Sequence, residues 1–320
     1  MKNLSPIIKV IKRHQHFLVS THVNPDADAV ASALAMTLVL KSLGKTVTVV
    51  NENEVPSWLA FLPKTALFKL AARTKNFDYD AAIVLDCGDL SRVGTVEALL
   101  RTDRPLTNID HHKTNLGFGQ FNLVLPQASS TAEILYELFE KMGVRLNKDL
   151  AALLYVGIMT DTGSFRYECT SSRTHQIVAH LMSFGISSSK IYDQIYDAIP
   201  LKDLKLFLSA IGSVELLKGG KVACLEFRQN ILSKFSGGFD VRDKIFGLLR
   251  STKGVEVVVI FSEVNATKTR VNMRSKSYFD VAKLAAQFGG GGHVRASGCA
   301  LDVNIKEARK RVLNKIMKGV

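Results

Sequence analysis

Through the first half of the chain, short apolar runs alternate with stretches of helical periodicity. Residues 17–22 form a short run of strand type, residues 28–43 an apolar-faced helix closed by Gly44, and residues 46–50 a second strand. That succession is βαβ grammar. Two further buried-strand runs, 81–86 and 106–110, each pass into polar residues at their C-terminal end. Ser130, Thr131, Ala132 and Glu133 have the spacing of a capping box and open a helix through Met142, and residues 148–159 and 173–184 are helical in pattern. The pattern predicts an α/β fold whose N-terminal lobe is a mostly parallel sheet flanked by helices.

Residues 187–217 read as helical with an interruption at Pro200, which suits a linker between lobes. This places a catalytic domain at 1–186, a helical linker at 187–217 and a smaller α/β domain for substrate binding at 218–320. Within the latter, 221–227, 255–264 and 268–274 read as strands, and 280–288 and 305–317 as helices, the last of them basic.

Composition narrows the class. A hydrophobic content of 47% with 22 Gly and 7 Pro excludes disordered and collagen-like chains. The longest apolar candidate, 30–40, contains Ser32 and Thr37 and is closed by Lys41, so no membrane partner is expected. The first six residues carry one positive charge and no apolar signal region, which predicts a cytoplasmic protein. Cys87, Cys169, Cys224 and Cys299 are far apart and form no C-x-x-C pair, so they read as thiols and not as a zinc site. The net charge of +13 is uneven: residues 1–185 carry 19 Lys+Arg against 17 Asp+Glu, and residues 186–320 carry 23 against 12. A polyanionic ligand is the expectation for the second lobe.

Four clusters of polar residues fall where elements of the first lobe end, which is where parallel α/β sheets place their ligands. The first is His22-Val23-Asn24-Pro25-Asp26-Ala27-Asp28, an imidazole and two carboxylates in one loop. That mixture suits a divalent ion of the manganese or magnesium kind, and its plain alternative is a turn in which Asp28 caps the next helix. Asp86-Cys87-Gly88-Asp89 follows the third strand, with the glycine permitting close approach, and Asp110-His111-His112 follows the fourth. Asp161 stands at a helix end beside Thr162 and Gly163. Gathering these acids without cations would be costly, so a site for two metal ions is the economical explanation.

His22 to Asp28, Asp86, Asp110-His111-His112 and Asp161, in this order, resemble the four motifs of the DHH phosphoesterases. Independently, Gly289-Gly290-Gly291-Gly292-His293 with Ala296-Ser297-Gly298, and upstream Val271-Asn272-Met273-Arg274-Ser275, resemble the DHH-associated C-terminal domain. The resemblance implies that His22, Asp26 and Asp86 hold one metal ion and Asp28, Asp86, His111 and Asp161 the other, Asp86 bridging, with Mn2+ the usual ion. It assigns His112 a catalytic role on the scissile phosphate beside Asp86, and Asp110 the orienting of an imidazole. Arg274, Ser275, Gly290, Gly291, Gly292 and His293 would bind the rest of a nucleotide, the second lobe closing over the metal site. Arg92, Ser130 and Arg166 are further candidates, Ser130 having a helix cap as its plainer role.

Chain length and the glycine-rich His motif set aside the larger single-strand exonucleases and the family II pyrophosphatases. The compact two-lobe form resembles the nanoRNase and 3′-phosphoadenosine 5′-phosphate (pAp) phosphatase group, acting on very short RNA such as pApA and on pAp, and plausibly homodimeric. Cyclic di-AMP is the alternative substrate. A nucleotide- or RNA-binding regulator without turnover is the alternative of another class, and the completeness of the six ligands argues against it.

Overall fold

The computed structural model describes residues 4–74, 77–197, 199–236 and 239–320, the side chain of Asn230 excepted. Met1 to Asn3, part of the N-terminal segment read for a signal peptide, and Ala198 of the expected linker lie outside the described residues. The chain divides into two compact units, Met1–Tyr192 and Asp193–Val320.

The first unit holds a six-stranded sheet of β1 (His16–Ser20), β2 (Thr46–Asn51), β3 (Phe68–Leu70), β4 (Ala81–Leu85), β5 (Leu106–Asp110) and β6 (Phe121–Val124). All pairings are parallel and the order is β3-β2-β1-β4-β5-β6. The order therefore reverses between β1 and β4, the point where doubly wound sheets open a crevice at their carboxyl ends. Every residue of β4 is buried, which is why its sequence is a continuous apolar run and not an alternating one. Its helices are α1 (Ser5–Arg13), α2 (Ala27–Ser42), α3 (Thr131–Lys141), α4 (Lys148–Asp161), α5 (Ser172–Met182) and α6 (Ser188–Tyr196), the last running across the division between the units.

The expected one-faced helix at 28–43 is instead buried on nearly every side from Ala27 to Leu40. It lies against β1, β2 and β4 and also against α3 and α4, so from Ala27 to Leu40 its polar residues are the small Ser32 and Thr37 and Asp28 of the site. Its N-cap is Asp26, whose Oδ1 accepts from Ala29 N at 3.0 Å, so Asp28 falls inside the first turn and is not the cap. The capping box at Ser130 is half formed. Ser130 Oγ accepts from Glu133 N at 3.0 Å, while the Glu133 carboxylate turns to Ser129 and Thr174.

The second unit holds α7 (Leu201–Gly212), β7 (Glu215–Leu217), β8 (Val222–Phe227), α8 (Gln229–Leu232), α9 (Val241–Ser251), β9 (Val257–Asn265), β10 (Lys268–Ser275), α10 (Val281–Ala286), β11 (Gly291–His293), β12 (Ala296–Leu301) and α11 (Ile305–Gly319). Its sheet runs β11-β12-β10-β9-β8-β7, antiparallel except for β8 with β9. β9 feeds two cores. Val257, Val259 and Phe261 pack with α10 and α11, and Val258 and Ile260 pack with α7 and α9. Residues 215–217, read as the end of the linker, form the edge strand β7, and the glycine run ends in strand β11.

Glu256, buried just before β9, ties down the turn after β10. It accepts from the backbone N–H groups of Ser277, Tyr278 and Phe279, at 2.8 Å for the last two, and from Ser277 Oγ at 2.7 Å. Burial alone would raise its pKa, but these donors, Phe279 and Ser277 foremost, hold it below the usual 4.5. A depressed carboxyl contributes stability that is fully present above 4.5 and is lost as pH falls through the folded value. Glu256→Gln is expected to cost about 2 kcal/mol at pH 7, and urea unfolding should show the gap to wild type shrinking below pH 4.

Candidate functional site

The residues of the four clusters come from the carboxyl ends of β1, β4 and β5 and from α2 and α4. β1 stops at Ser20, two residues short of the expected end, so His22 lies in the following loop. That loop is held by Asn51 at the end of β2, fully buried: its Oδ1 accepts from Thr21 N at 3.1 Å and its Nδ2 donates to His22 O at 3.3 Å. Asp86 follows β4 directly with φ +53°, a left-handed conformation that Asp tolerates better than most residues.

Asp86, 2% exposed, is the centre. Its Oδ2 lies 3.6 Å from His22 Nε2, and its Oδ1 lies 3.5 Å from His111 Nε2 and accepts from Thr131 Oγ1 at 2.9 Å. His22 Nε2 also lies 3.8 Å from Asp26 Oδ2, and His111 Nε2 lies 2.9 Å from Asp161 Oδ2. In each imidazole Nδ1 addresses a backbone carbonyl, Val23 O for His22 and Ala128 O for His111, which turns Nε2 toward the carboxylates. Asp28 is fully buried at the N-terminus of α3. Its Oδ1 accepts from Ala132 N and Ser32 Oγ, and its Oδ2 accepts from Thr131 N at 2.7 Å, so Oδ2 retains one lone pair.

Crowding shows in the acid–base balance. Burial pushes the Asp28 carboxyl well above its usual range, and the charges of Asp86 and Asp161 add to it. Burial would raise Asp86 too, but the His22 hydrogen bond and the charges of His112 and His111 hold it far below. Burial would lower His111, yet Asp161 and then Asp86 raise it well above an ordinary imidazole.

These residues fit divalent cations. One ligand atom each from His22, Asp26 and Asp86 gathers within 4.8 Å, as does one each from Asp28, Asp86 and His111, and Asp86 belongs to both sets. Nitrogen with hard oxygen donors suits Mn2+ or a similar ion, and a cation there would relieve the repulsion among Asp28, Asp86 and Asp161. A third gathering, Asp86, Asp110 and His112, has a separate logic. Asp110 is fully buried and bonds His112 Nδ1 at 2.7 Å and Asn115 Nδ2 at 2.6 Å, and Asn115 ties it to Asn108 and Cys87 O.

Other sequence candidates separate from this centre. Ser130 is fully buried and occupied as the cap of α3. Gly88 would meet nothing closer than 3.6 Å with an added Cβ, so close approach does not require it. Arg166 is exposed and its Nε donates to Gly163 O, while Arg92 is partly buried and its carbonyl accepts from Val23 N at 2.7 Å. In the second unit, Ser275 is fully buried and its backbone and hydroxyl meet the carbonyls of Arg295 and Val294, so it braces the β11–β12 turn. Arg274 lies 4.8 Å over the Phe246 ring. Gly290 and Gly292 serve packing, since a Cβ at either would overlap the β12 backbone. Gly291 pairs with Gly298 and His293 with Ala296, leaving both partly exposed.

Sequence reasoning missed Asn51, Asn115, Thr131 and Gly157. Their signal was thin: an amide ending an apolar strand, an Asn three residues after His112, a Thr following a cap. Thr131 Oγ1 donates to Asp86, so Thr131→Val, which removes that bond and keeps the backbone N–H on Asp28, is expected to weaken Mn2+ binding about tenfold, which titration of the chelated protein would measure.

The model of the DHH family, N-terminal domain, matches residues 16–158, and that of the DHHA1 domain matches residues 231–318. The chain is 29% identical over 318 residues to the bifunctional oligoribonuclease and PAP phosphatase NrnA of Thermus thermophilus, covering 99% of this chain and 93% of that protein. A probable bifunctional oligoribonuclease and PAP phosphatase NrnA of Streptococcus mutans is 30% identical over 305 residues, 93% of each. An exopolyphosphatase-related protein of Bacteroides fragilis superposes with a TM-score of 0.86 at 26% identity, covering 99% of this chain and 95% of that one.

Proposed function

The chain belongs to the DHH family of phosphoesterases, and from that premise we propose that it hydrolyses very short oligoribonucleotides such as pApA to mononucleotides and dephosphorylates pAp. The observation that carries the reading is Asp86, which joins the gathering with His22 and Asp26 to the gathering with Asp28 and His111. NrnA relatives along nearly the whole chain support the substrate class. His22, Asp26 and Asp86 would hold one Mn2+, and Asp28, Asp86, His111 and Asp161 a second. When bound, two such cations activate water and neutralise the phosphoryl oxygens during in-line displacement.

The chain's own residues do the rest. The Asn51 amide fixes the loop carrying His22, and Thr131 orients Asp86 and Asp28. With Nδ1 bonded to Asp110, His112 would address the phosphoryl or leaving oxygen through Nε2, where a proton can be held or delivered. In the second unit Arg274, Gly291 and His293 would bind the phosphate and nucleoside of the substrate, which accounts for the positive charge of residues 186–320.

Turnover by purified protein with Mn2+ on pApA, a five-nucleotide RNA, pAp, cyclic di-AMP and pyrophosphate tests the reading. Fast loss of the first three with cyclic di-AMP slow is the expected result. Preference for cyclic di-AMP overturns the substrate, and silence on all five with metal bound overturns the enzyme in favour of a nucleotide-binding regulator.

A further inference from the structure

Beyond Arg274 and His293, the cations of the second unit divide between the two ends of its sheet. At one end they are paired with acids. Arg228, after β8, lies 3.5 Å from Glu226 and 3.8 Å from Glu263, and Lys268, at the start of β10, lies 3.9 Å from Asp302. At the opposite end Lys218, Lys221, Lys253, Lys276 and Lys318 are all exposed, and among the described residues none of them pairs with a carboxylate.

Contacts bring these five lysines together. Glu256 N donates to Lys221 O and Lys276 N donates to Glu256 O, both at 2.8 Å, so the starts of β8 and β9 and the end of β10 stand in one row. Lys276 Nζ reaches Thr252 O, beside Lys253, and Lys218 Nζ reaches Met317 O, beside Lys318, each at 3.4 Å. A lysine at a helix C-terminus has a structural use, which explains Lys218 but not Lys221, Lys253 or Lys276. The acids nearest in sequence do not offset them: Glu256 is engaged by the 277–279 turn, and Asp280 Oδ1 accepts from Lys283 N at 2.9 Å. In the middle of that turn stands Tyr278, 57% exposed, while Phe279 packs into the core beside Gly319. The backbone N–H bonds to Glu256 therefore fix the chain beneath an exposed ring.

We propose that this end of the sheet is a binding surface for single-stranded RNA longer than the substrate, separate from the face that carries Arg274, Gly291 and His293. Unpaired cations in a row attract a phosphate backbone, and a ring held on a fixed turn gives a base of any kind something to stack on. The outward residues of α11 beside it, Lys310, Arg311, Asn314 and Lys315, offer no apolar face for a bilayer to take up, which favours RNA over an anionic membrane. The choice of RNA among polyanions rests on the proposed oligoribonucleotide hydrolysis.

Fluorescence anisotropy of a labelled, unstructured single-stranded RNA of about fifteen nucleotides tests it, with the full-length chain in chelator so that no strand is cut. With five lysines on phosphates, affinity should fall about a hundredfold between 50 and 200 mM salt. Lys221→Gln combined with Lys276→Gln should shrink that fall to about twentyfold. Arg228→Gln, which removes a paired cation at the other end, should leave it unchanged. Tyr278→Ala should weaken binding about tenfold at every salt concentration. The proposal is overturned by an unaltered salt dependence in the lysine variant, or by Tyr278→Ala binding RNA as wild type does. It is overturned too by tighter binding to vesicles of phosphatidylserine and phosphatidylcholine in equal parts, which would assign the surface to a membrane. Turnover of pAp with Mn2+ is read separately. Unchanged turnover in the lysine and tyrosine variants supports a surface separate from the substrate site, and a loss parallel to that of RNA binding would merge the two and overturn it. No turnover in wild type with RNA binding intact defeats the hydrolase reading and leaves the surface standing.

Discussion

Asp86→Ala is expected to abolish turnover, by about a thousandfold or more, with loss of high-affinity Mn2+ binding. Its two oxygens face different imidazoles, His22 at 3.6 Å and His111 at 3.5 Å, so no other carboxylate can take over both sides. The fold should survive, because two effects oppose. Removal strips Thr131 Oγ1 of its acceptor and both imidazoles of a neighbour, but it also relieves the repulsion from Asp86 that helps raise Asp28. Alanine at φ +53° adds about 1 kcal/mol of backbone cost. Asp86→Asn, which keeps the shape, should be equally inactive. Circular dichroism and urea unfolding with metal titration separate the outcomes, and a folded variant with a tenth of wild-type activity would defeat the shared-ligand arrangement.

Gly157→Ala is the second large effect, and it runs against helix propensity. In the middle of α4 alanine should stabilise by about 1 kcal/mol. Here its Cβ would overlap Asp28 Oδ1 and lie 2.5 Å from Ala132 Cβ, neither of which can retreat. Asp28 is pinned by Ser32, Thr131 and Ala132, and Ala132 belongs to the first turn of α3. Overpacking of this kind costs about 1–3 kcal/mol, and a shifted Asp28 should reduce turnover about a hundredfold. Lower thermal stability with lower kcat is the expected pair. A variant more stable than wild type and fully active would show that α4 can move away from the site.

How much of this was legible in the sequence follows from what kind of contact each residue makes. The βαβ grammar and the order of His22, Asp86 and Asp110 at strand ends were readable, because apolar runs that stop at an acid betray both the strand and its carboxyl end. Asp28 illustrates the limit. Its place before the apolar run suggested a cap, but the cap is Asp26, two residues earlier, where the backbone is still extended. Gly157, Thr131 and Asn51 act through neighbours 25 to 129 residues away, which no local pattern encodes. Gly290 and Gly292 also answer to the β12 backbone, which an added Cβ at either would meet, a packing demand that the glycine run alone does not disclose. The segment 215–217 was read with the helices before it, where pairing with β8 makes it a strand.

The most direct test of the central claim is turnover of pApA by chelator-treated protein as Mn2+ is added back in measured amounts. Two cations sharing Asp86 require no turnover without metal, full turnover restored at two bound equivalents per chain, and neither binding nor turnover restored in Asp86→Ala. Turnover that survives chelation, or is complete with one equivalent bound, would contradict it.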